Sequence, residues 1–430
     1  MLQCSCGAWL RDPDAGDGGG GAPGIAYEPP AGDDARPDTS QQPDTPPTAA
    51  TEAASEIAPT PLPEPEQPEP DPEPEPDPEP EPTQEEMDML FIESIIDSMS
   101  IEEQVKQMFI LHLGARHTGP GEELEQLVSE NCAGGYILFG GNITTVEGTK
   151  ALTGAIAGYS AIAPFICIDE EGGTVSRLRS AGLPGYAAQP SARSIGNAGD
   201  SEEAYRVGET IGSALSLIGV NVDFAPVADV LANPRNTVIG SRSFGSDPEL
   251  VSDMASAFQA GLRSRGIMSA PKHFPGHGNT ASDSHLGRAV IASDPEHLKA
   301  VEYVPFARLI GEGAEFVMTG HLVVYPLGPD SLPATLSKYF LTDVLRGELG
   351  FQGIIVTDSM SMGAITQEFE ADAAAVMAIQ AGVDMILMPA DFHLAAEGVI
   401  RAVDEGSIPP ARIRESLVRI LHAKLTAGMI

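Results

Sequence analysis

Residues 272–285 read KHFPGHGNTASDSH, and they concentrate groups that can move protons or hold a ligand. The stretch contains Lys272, the histidines His273, His277 and His285, Asp283, and the glycines Gly276 and Gly278. Two chemistries fit it. Asp283 stands two residues from His285. A carboxylate so placed can bond one ring nitrogen, fix the tautomer and raise its basicity, and the other nitrogen then handles a proton near neutral pH. Alternatively, His273, His277, His285 and Asp283 are the ligand types that zinc takes. A polar loop without chemistry is the third reading, although turn formation alone does not require three histidines. The stretch by itself does not separate the first two.

The positions of these residues depend on the elements around them. The apolar run 267–271 reads as a short buried strand, so Lys272 and His273 stand where a strand ends. Seven similar runs occur at 108–111, 135–139, 165–168, 222–226, 316–319, 354–357 and 385–388. Segments of helical period separate them, among them 122–129, 203–217, 250–263, 296–311, 337–349 and 370–381. Ser100 and Glu103 make a capping box that opens a helix from Glu102 to about Gln107. A βα unit repeated about eight times predicts a single α/β domain, a (β/α)8 TIM-type barrel. A doubly wound open sheet should carry a glycine-rich phosphate turn after its first strand. Gly134-Gly135 and Gly172-Gly173 lack that spacing.

In a parallel barrel, chemistry belongs at the C-terminal ends of the strands. Those ends carry Asp169-Glu170-Glu171 with Arg177, then Asp223, Asp229 and Arg242, then Lys272-His273, Thr319-Gly320-His321, and Asp358-Ser359. Such a rim suits a polyol. Asp169 can accept two sugar hydroxyls while Arg177, Arg242 and Lys272 donate. Asp358 would attack an anomeric carbon or stabilise positive charge there, with the proton for the leaving oxygen delivered from the opposite side, the two-group logic of retaining glycosidases. Glycines flanking His277 let its loop close over bound sugar.

Composition limits the partners. The net charge is −38, and residues 1–90, with 22 Asp or Glu against 2 Arg, supply −20 of it. Nucleic acid is excluded as a partner, because phosphates need a basic surface. Cys132 and Cys167 read as small core residues, and Cys4-x-Cys6 is too little for a metal site. No apolar run reaches the roughly 18 residues a membrane span needs. Residues 12–58 are too poor in large apolar groups to fold. Residues 61–82 alternate proline with acid, a polyproline II rod of roughly 70 Å. The chain therefore divides into a disordered Asp/Glu/Pro-rich tail or spacer, 1–86, and a catalytic domain, 87–430. The N-terminus shows neither a charged n-region nor an apolar h-region. One expectation places Met1 inside a longer reading frame, with Cys4 or Cys6 lipid-modified and the tail tethering the domain to the membrane or cell wall. The cell envelope or the exterior is then favoured over the cytoplasm.

The strand-end motifs taken together resemble the family 3 glycoside hydrolases, specifically the bacterial β-N-acetylglucosaminidases of cell-wall recycling. The matching text includes IDEEGGTVSRL, GVNVDFAPVADV, KHFPGHGNTASDSH, MTGHL and GFQGIIVTDSMSMGAI, in the family's order over about residues 95–390. The resemblance implies a single (β/α)8 domain. It implies Asp358 as the nucleophile of a retaining exo-β-N-acetylglucosaminidase and His285, paired with Asp283, as the acid/base. Asp169, Arg177, Arg242, Lys272 and His273 would bind the terminal N-acetylglucosamine. The sequence departs from the family at Glu170, where glutamine is common, and at Thr174, where arginine is common; neither carries an assigned role. A carbohydrate, of peptidoglycan type or related, is the expected partner, with no cofactor and no metal, and the chain is expected to act as a monomer. Three alternatives remain. A neutral imidazole does not repel anions, so phosphate could replace water in the second step and make a phosphorylase. A non-catalytic sugar-binding surface protein would keep the pocket alone. A metal-dependent hydrolase would want a His-x-His pair on an early strand, where only His112 stands.

Overall fold

The computed structural model describes residues 82–280, 287–325 and 331–430. The acidic spacer, Cys4 and Cys6, and the Asp283–His285 pair lie outside the described residues. The first helix, Gln84–Ser98, opens just before the expected boundary at Met87, on a capping box between Thr83 and Glu86. A second capping box, Ser100 with Glu103, opens Ile101–Lys106 as the spacing predicts.

Each of the eight apolar runs overlaps a strand. These are β1 (Phe109–His112), β2 (Gly135–Ile137), β3 (Phe165–Ile168), β4 (Val222–Asp223), β5 (Met268–Ser269), β6 (Phe316–Thr319), β7 (Ile354–Thr357) and β8 (Ile386–Leu387). Six of them form one parallel sheet in the order β8–β1–β2–β3–β4–β5. β6 and β7 pair in parallel, Thr319 opposite Thr357. Bridges Phe274↔Thr319 and Val356↔Met385 tie that pair to the end of β5 on one side and the start of β8 on the other. Strands β4 and β5 are shorter than the apolar runs suggest. Pro226 and Pro271 have no N–H to give the ladder, so pairing resumes only as the bridge Val227↔Lys272.

The curled sheet is covered on both faces. β3, β6 and β7 are buried at every position. Phe165 of β3 and Phe316 of β6 meet edge to face inside the curl, ring centroids 5.1 Å apart. Amphipathic helices cover the outside, and their first turns are capped as the sequence dictates. Asp200 accepts from Glu202 and Glu203 N–H at the start of Ser201–Leu217, and Asp247 accepts from Glu249 and Leu250 N–H at the start of Pro248–Arg263. The last helix, Pro410–Thr426, lies across the N-terminal ends of the strands. Its Lys424 Nζ sits 5.1 Å from the Phe165 ring centroid and donates to Gln107 Oε1 at 3.0 Å.

Two small pairings were not expected from the sequence. Glu170–Gly172 and Val175–Ser176 form an antiparallel hairpin at the end of β3. Ala289–Ala292 pairs in parallel with Leu322–Tyr325, the strand that follows β6. Its alternation, Ile291 inside and Val290 exposed, is too short to stand out as a strand in the sequence. No helix among the described residues is long and apolar enough to cross a membrane.

Candidate active site

The end of β3 supplies Asp169, and the hairpin after it turns through Gly172 and Gly173. Both have positive φ, and a Cβ on Gly173 would meet Ser191 Cβ at 2.7 Å. The turn brings Arg177 back beside Asp169, Nη2 to Oδ2 3.5 Å. Glu170 holds this return. Its buried carboxylate accepts from Arg177 N–H at 2.7 Å, Leu178 N–H at 3.0 Å and the Tyr186 hydroxyl at 3.0 Å. Burial pushes the Glu170 carboxyl above its ordinary value in spite of those donors. The Arg177 guanidinium rests on the Phe139 ring, 5.1 Å from its centroid, and His112 packs against the same ring.

Lys272, at the end of the β5 segment, is 2 % exposed and reaches two carboxylates at once. Its Nζ is 2.7 Å from Asp169 Oδ1 and 2.7 Å from Glu171 Oε1. Glu171 also takes a two-pronged contact from Arg242, Nε and Nη2 each at 2.8 Å. Burial alone would push the Glu171 carboxyl up, but Arg242 and Lys272 outweigh it and hold the group well below the usual carboxylate range. The same balance raises Lys272 and Arg242: burial lowers both, and the carboxylates beside them more than reverse it. All three groups are therefore charged.

His273 joins this network through its ring. Nδ1 is 2.7 Å from Asp229 Oδ2 and Nε2 is 3.3 Å from Arg242 Nη2. A guanidinium can only donate, so Nε2 accepts and Nδ1–H donates to Asp229. Both ring nitrogens are thereby engaged, and His273 is not placed as a metal ligand. Asp229 also accepts from the backbone N–H of His273 at 3.2 Å and of His277 at 2.6 Å, so one carboxylate fixes the whole turn. Gly278 lies so close to Val230 that a Cβ would stand 1.9 Å from its carbonyl oxygen. This glycine thus serves a close backbone approach. Burial pulls the His277 imidazole down to about 4, so this ring is neutral at physiological pH.

Asp358 stands one residue beyond β7, partly exposed. Its N–H donates to Thr319 O at 2.9 Å, and its Oδ1 accepts from Ser359 N–H at 2.7 Å. The neighbouring β6 end packs on this cluster, since a Cβ on Gly320 would lie 3.1 Å from His273 Cβ. Of the residues singled out from the sequence, the structure brings Asp169, Arg177, Arg242, Lys272 and His273 into one bonded network and sets Asp358 at the end of β7, with β6 between β7 and the end of β5. Asp283 and His285 lie outside the described residues, in 281–286. Sequence reasoning assigned nothing to Glu171, Asp229 or His321. A signal existed for the first two: three cations and a histidine had been set against one binding aspartate, and buried cations need counter-charges.

The cluster's motifs and the curled parallel sheet agree with what known proteins show. The Glycosyl hydrolase family 3 N terminal domain matches residues 100–423. A Beta-hexosaminidase of Chromobacterium violaceum is 41% identical over 287 residues, 63% of this chain and 76% of that protein. Beta-hexosaminidase A of Pseudoalteromonas piscicida is 35% identical over 283 residues, 62% of this chain but only 47% of its own length. The structure of a glycoside hydrolase family 3 beta-N-acetylglucosaminidase from Paenibacillus sp. str. FPU-7 superposes with a TM-score of 0.74 at 34% identity, covering 77% of this chain and 63% of that one. With three quarters of its length inside the family match, the chain belongs to glycosyl hydrolase family 3.

Proposed function

We propose that residues 87–430 act as a retaining exo-β-N-acetylglucosaminidase that removes terminal N-acetyl-β-D-glucosamine from peptidoglycan-type or related glycans. The curled sheet is read here as a closed (β/α)8 barrel, joined through the bridges at Thr319 and Val356. Asp358 attacks the anomeric carbon and forms the glycosyl-enzyme. His285, oriented by Asp283, protonates the leaving oxygen and later activates water. Asp169 accepts two adjacent sugar hydroxyls, while Lys272, Arg177 and Arg242 neutralise the carboxylates and donate to the ring substituents.

The observation that carries this reading is the pairing of an open nucleophile with a closed binding network. Asp358 is partly exposed at the end of β7, and at the strand ends of β3 to β5 Asp169, Lys272, Glu171, Arg242 and His273 already hold each other in place. Such a site loses little reorganisation energy on meeting a transition state.

The test is turnover of an aryl N-acetyl-β-glucosaminide and of muropeptide fragments, with the anomer of the first product read by NMR. Retention gives the β-anomer; first formation of the α-anomer would sink the mechanism. Appearance of a sugar 1-phosphate when phosphate is added would move the reading to phosphorolysis. Sugar binding without turnover would leave a surface binding protein.

A further inference from the structure

His321 is 1 % exposed, follows β6 and is used by nothing in the scheme above. Its Nε2 is 2.9 Å from the Ser359 carbonyl oxygen, and its Nδ1 is 2.9 Å from Thr335 Oγ1. A carbonyl can only accept, so Nε2 carries a proton and donates it. Thr335 Oγ1, which holds Nδ1, also lies 3.1 Å from the Gly320 carbonyl oxygen. Thr335 Oγ1 lies in turn 2.9 Å from Thr319 Oγ1, in the last residue of β6. The imidazole is thus oriented at both nitrogens from its own strand end and reaches across to the next.

What it reaches is the residue that holds Asp358. Ser359 N–H donates to Asp358 Oδ1 at 2.7 Å, and Ser359 C=O accepts from His321. The two bonds lie on either side of the Ser359 Cα, so together they fix the backbone direction of the turn that aims the carboxylate. The Ser359 hydroxyl is taken up by Ser361 Oγ at 2.8 Å and Met360 N–H by Leu387 O at 2.9 Å, which ties the same turn to β8. We propose that His321 is a positioning residue for the nucleophile: through the Ser359 carbonyl it sets the angle at which the Asp358 carboxylate meets the anomeric carbon. The proposal rests on the glycosidase reading and adds to it a group that touches no substrate.

The experiment uses the full chain and two aryl N-acetyl-β-glucosaminides, one with a dinitrophenyl and one with a nitrophenyl leaving group. For His321→Leu, kcat falls by about 10- to 100-fold, the cost of a misplaced reacting group. The factor is the same on both substrates, because the nucleophile is needed whatever leaves. The inhibition constant of N-acetylglucosamine stays within about twofold, because the ground-state contacts are untouched. His321→Gln, whose amide can donate to the same carbonyl, brings kcat back to within about fivefold of the parent. Thr335→Val gives a smaller loss with the same signature. A folded His321→Leu chain with parental kcat overturns the proposal. So does an inhibition constant that rises in step with the loss, or a His321→Gln chain as slow as His321→Leu. If His321→Leu does not fold, Thr335→Val decides, and an unchanged kcat there overturns the proposal. A parent chain that turns over neither substrate refutes the glycosidase reading, and the role of His321 falls with it.

Discussion

Two buried ionic networks sit at opposite ends of the parallel strands, and they balance their charge differently. At the C-terminal ends, Asp169, Glu171 and Asp229 face Lys272, Arg177 and Arg242, with His273 between. At the N-terminal ends a single carboxylate, Asp384, faces Arg346, Arg412 and Arg419. The excess guanidinium donors there end on backbone carbonyls: Arg346 on Phe351 O and Gly353 O, Arg412 on Ile379 O and Val383 O. Burial, together with repulsion from Arg419 and Arg412, pulls Arg346 down to about 10 even beside Asp384. In the upper network the carboxylates win, and Arg242 and Lys272 are raised. The lower network is closed by the backbone and locks the last helix, through Ser416 and Arg419, to the strand ends. The upper one is closed by side chains and leaves Asp169 and Arg177 partly exposed. A network finished by the backbone is a clamp, and a network finished by side chains keeps polar groups partly free to meet another molecule.

The sharpest way to break this contrast is to remove function without stability at the top. Asp358→Ala is expected to cut kcat by about 10⁴-fold or more, as loss of a covalent nucleophile does. Its midpoint in urea should stay near the parent's, since the carboxylate is partly exposed. A variant that keeps even a tenth of the parental rate would remove Asp358 from the mechanism.

The converse change belongs at the bottom. Asp384→Asn leaves three guanidiniums without a counter-charge and weakens the bond to Ile355 N–H, now 2.9 Å. The expected loss is about 3–5 kcal/mol of stability, the cost of breaking a buried pair on one side. kcat per folded molecule should not change. Parental stability by urea denaturation would show that the backbone carbonyls alone suffice to hold the clamp.

Glu171→Gln tests whether the upper network serves binding. It keeps the shape and removes the charge that faces both Arg242 and Lys272. KM is expected to rise by about 10- to 100-fold with a smaller change in kcat, because Asp169 then becomes the main counter-charge of Lys272 and loses its freedom to accept from sugar. An unchanged KM would demote Glu171 to a purely structural ion pair.

How much of this was legible follows from what each residue answers to. Strands β3, β6 and β7 coincide with their apolar runs because parallel strands buried on both faces leave an uninterrupted hydrophobic signature. β4 and β5 end early because Pro226 and Pro271 interrupt the ladder, a local fact that the run of apolar residues hides. Asp169, Arg177, Arg242, Lys272 and His273 were found as polar residues at strand ends, and the bonds among them follow from the curl. Glu171 and Asp229 stood among the strand-end residues without a role because their partners, Arg242 and His273, arrive from other strands, 71 and 44 residues away in the chain. His321 was left without a role for the same reason: its partner is a backbone carbonyl on the next strand end, and a carbonyl has no identity in a sequence.

The smallest effect lies at Lys424, which belongs to neither network and so separates clamp from core. The side chain is fully buried, and burial pulls its amine from 10.5 down to about 7. Between those two values the unfolded chain binds a proton that the folded chain does not, so stability falls as pH drops from about 10 to 7 and levels off below. Lys424→Met removes that slope. It also strands Gln107 Oε1, at a cost of about 1–3 kcal/mol that does not vary with pH. The parent should therefore be the more stable protein near pH 10, and its lead should shrink or reverse by pH 7. Urea denaturation of both chains at the two pH values measures the difference. If the lead is the same at both, the amine is charged throughout that range and burial does not pull it down.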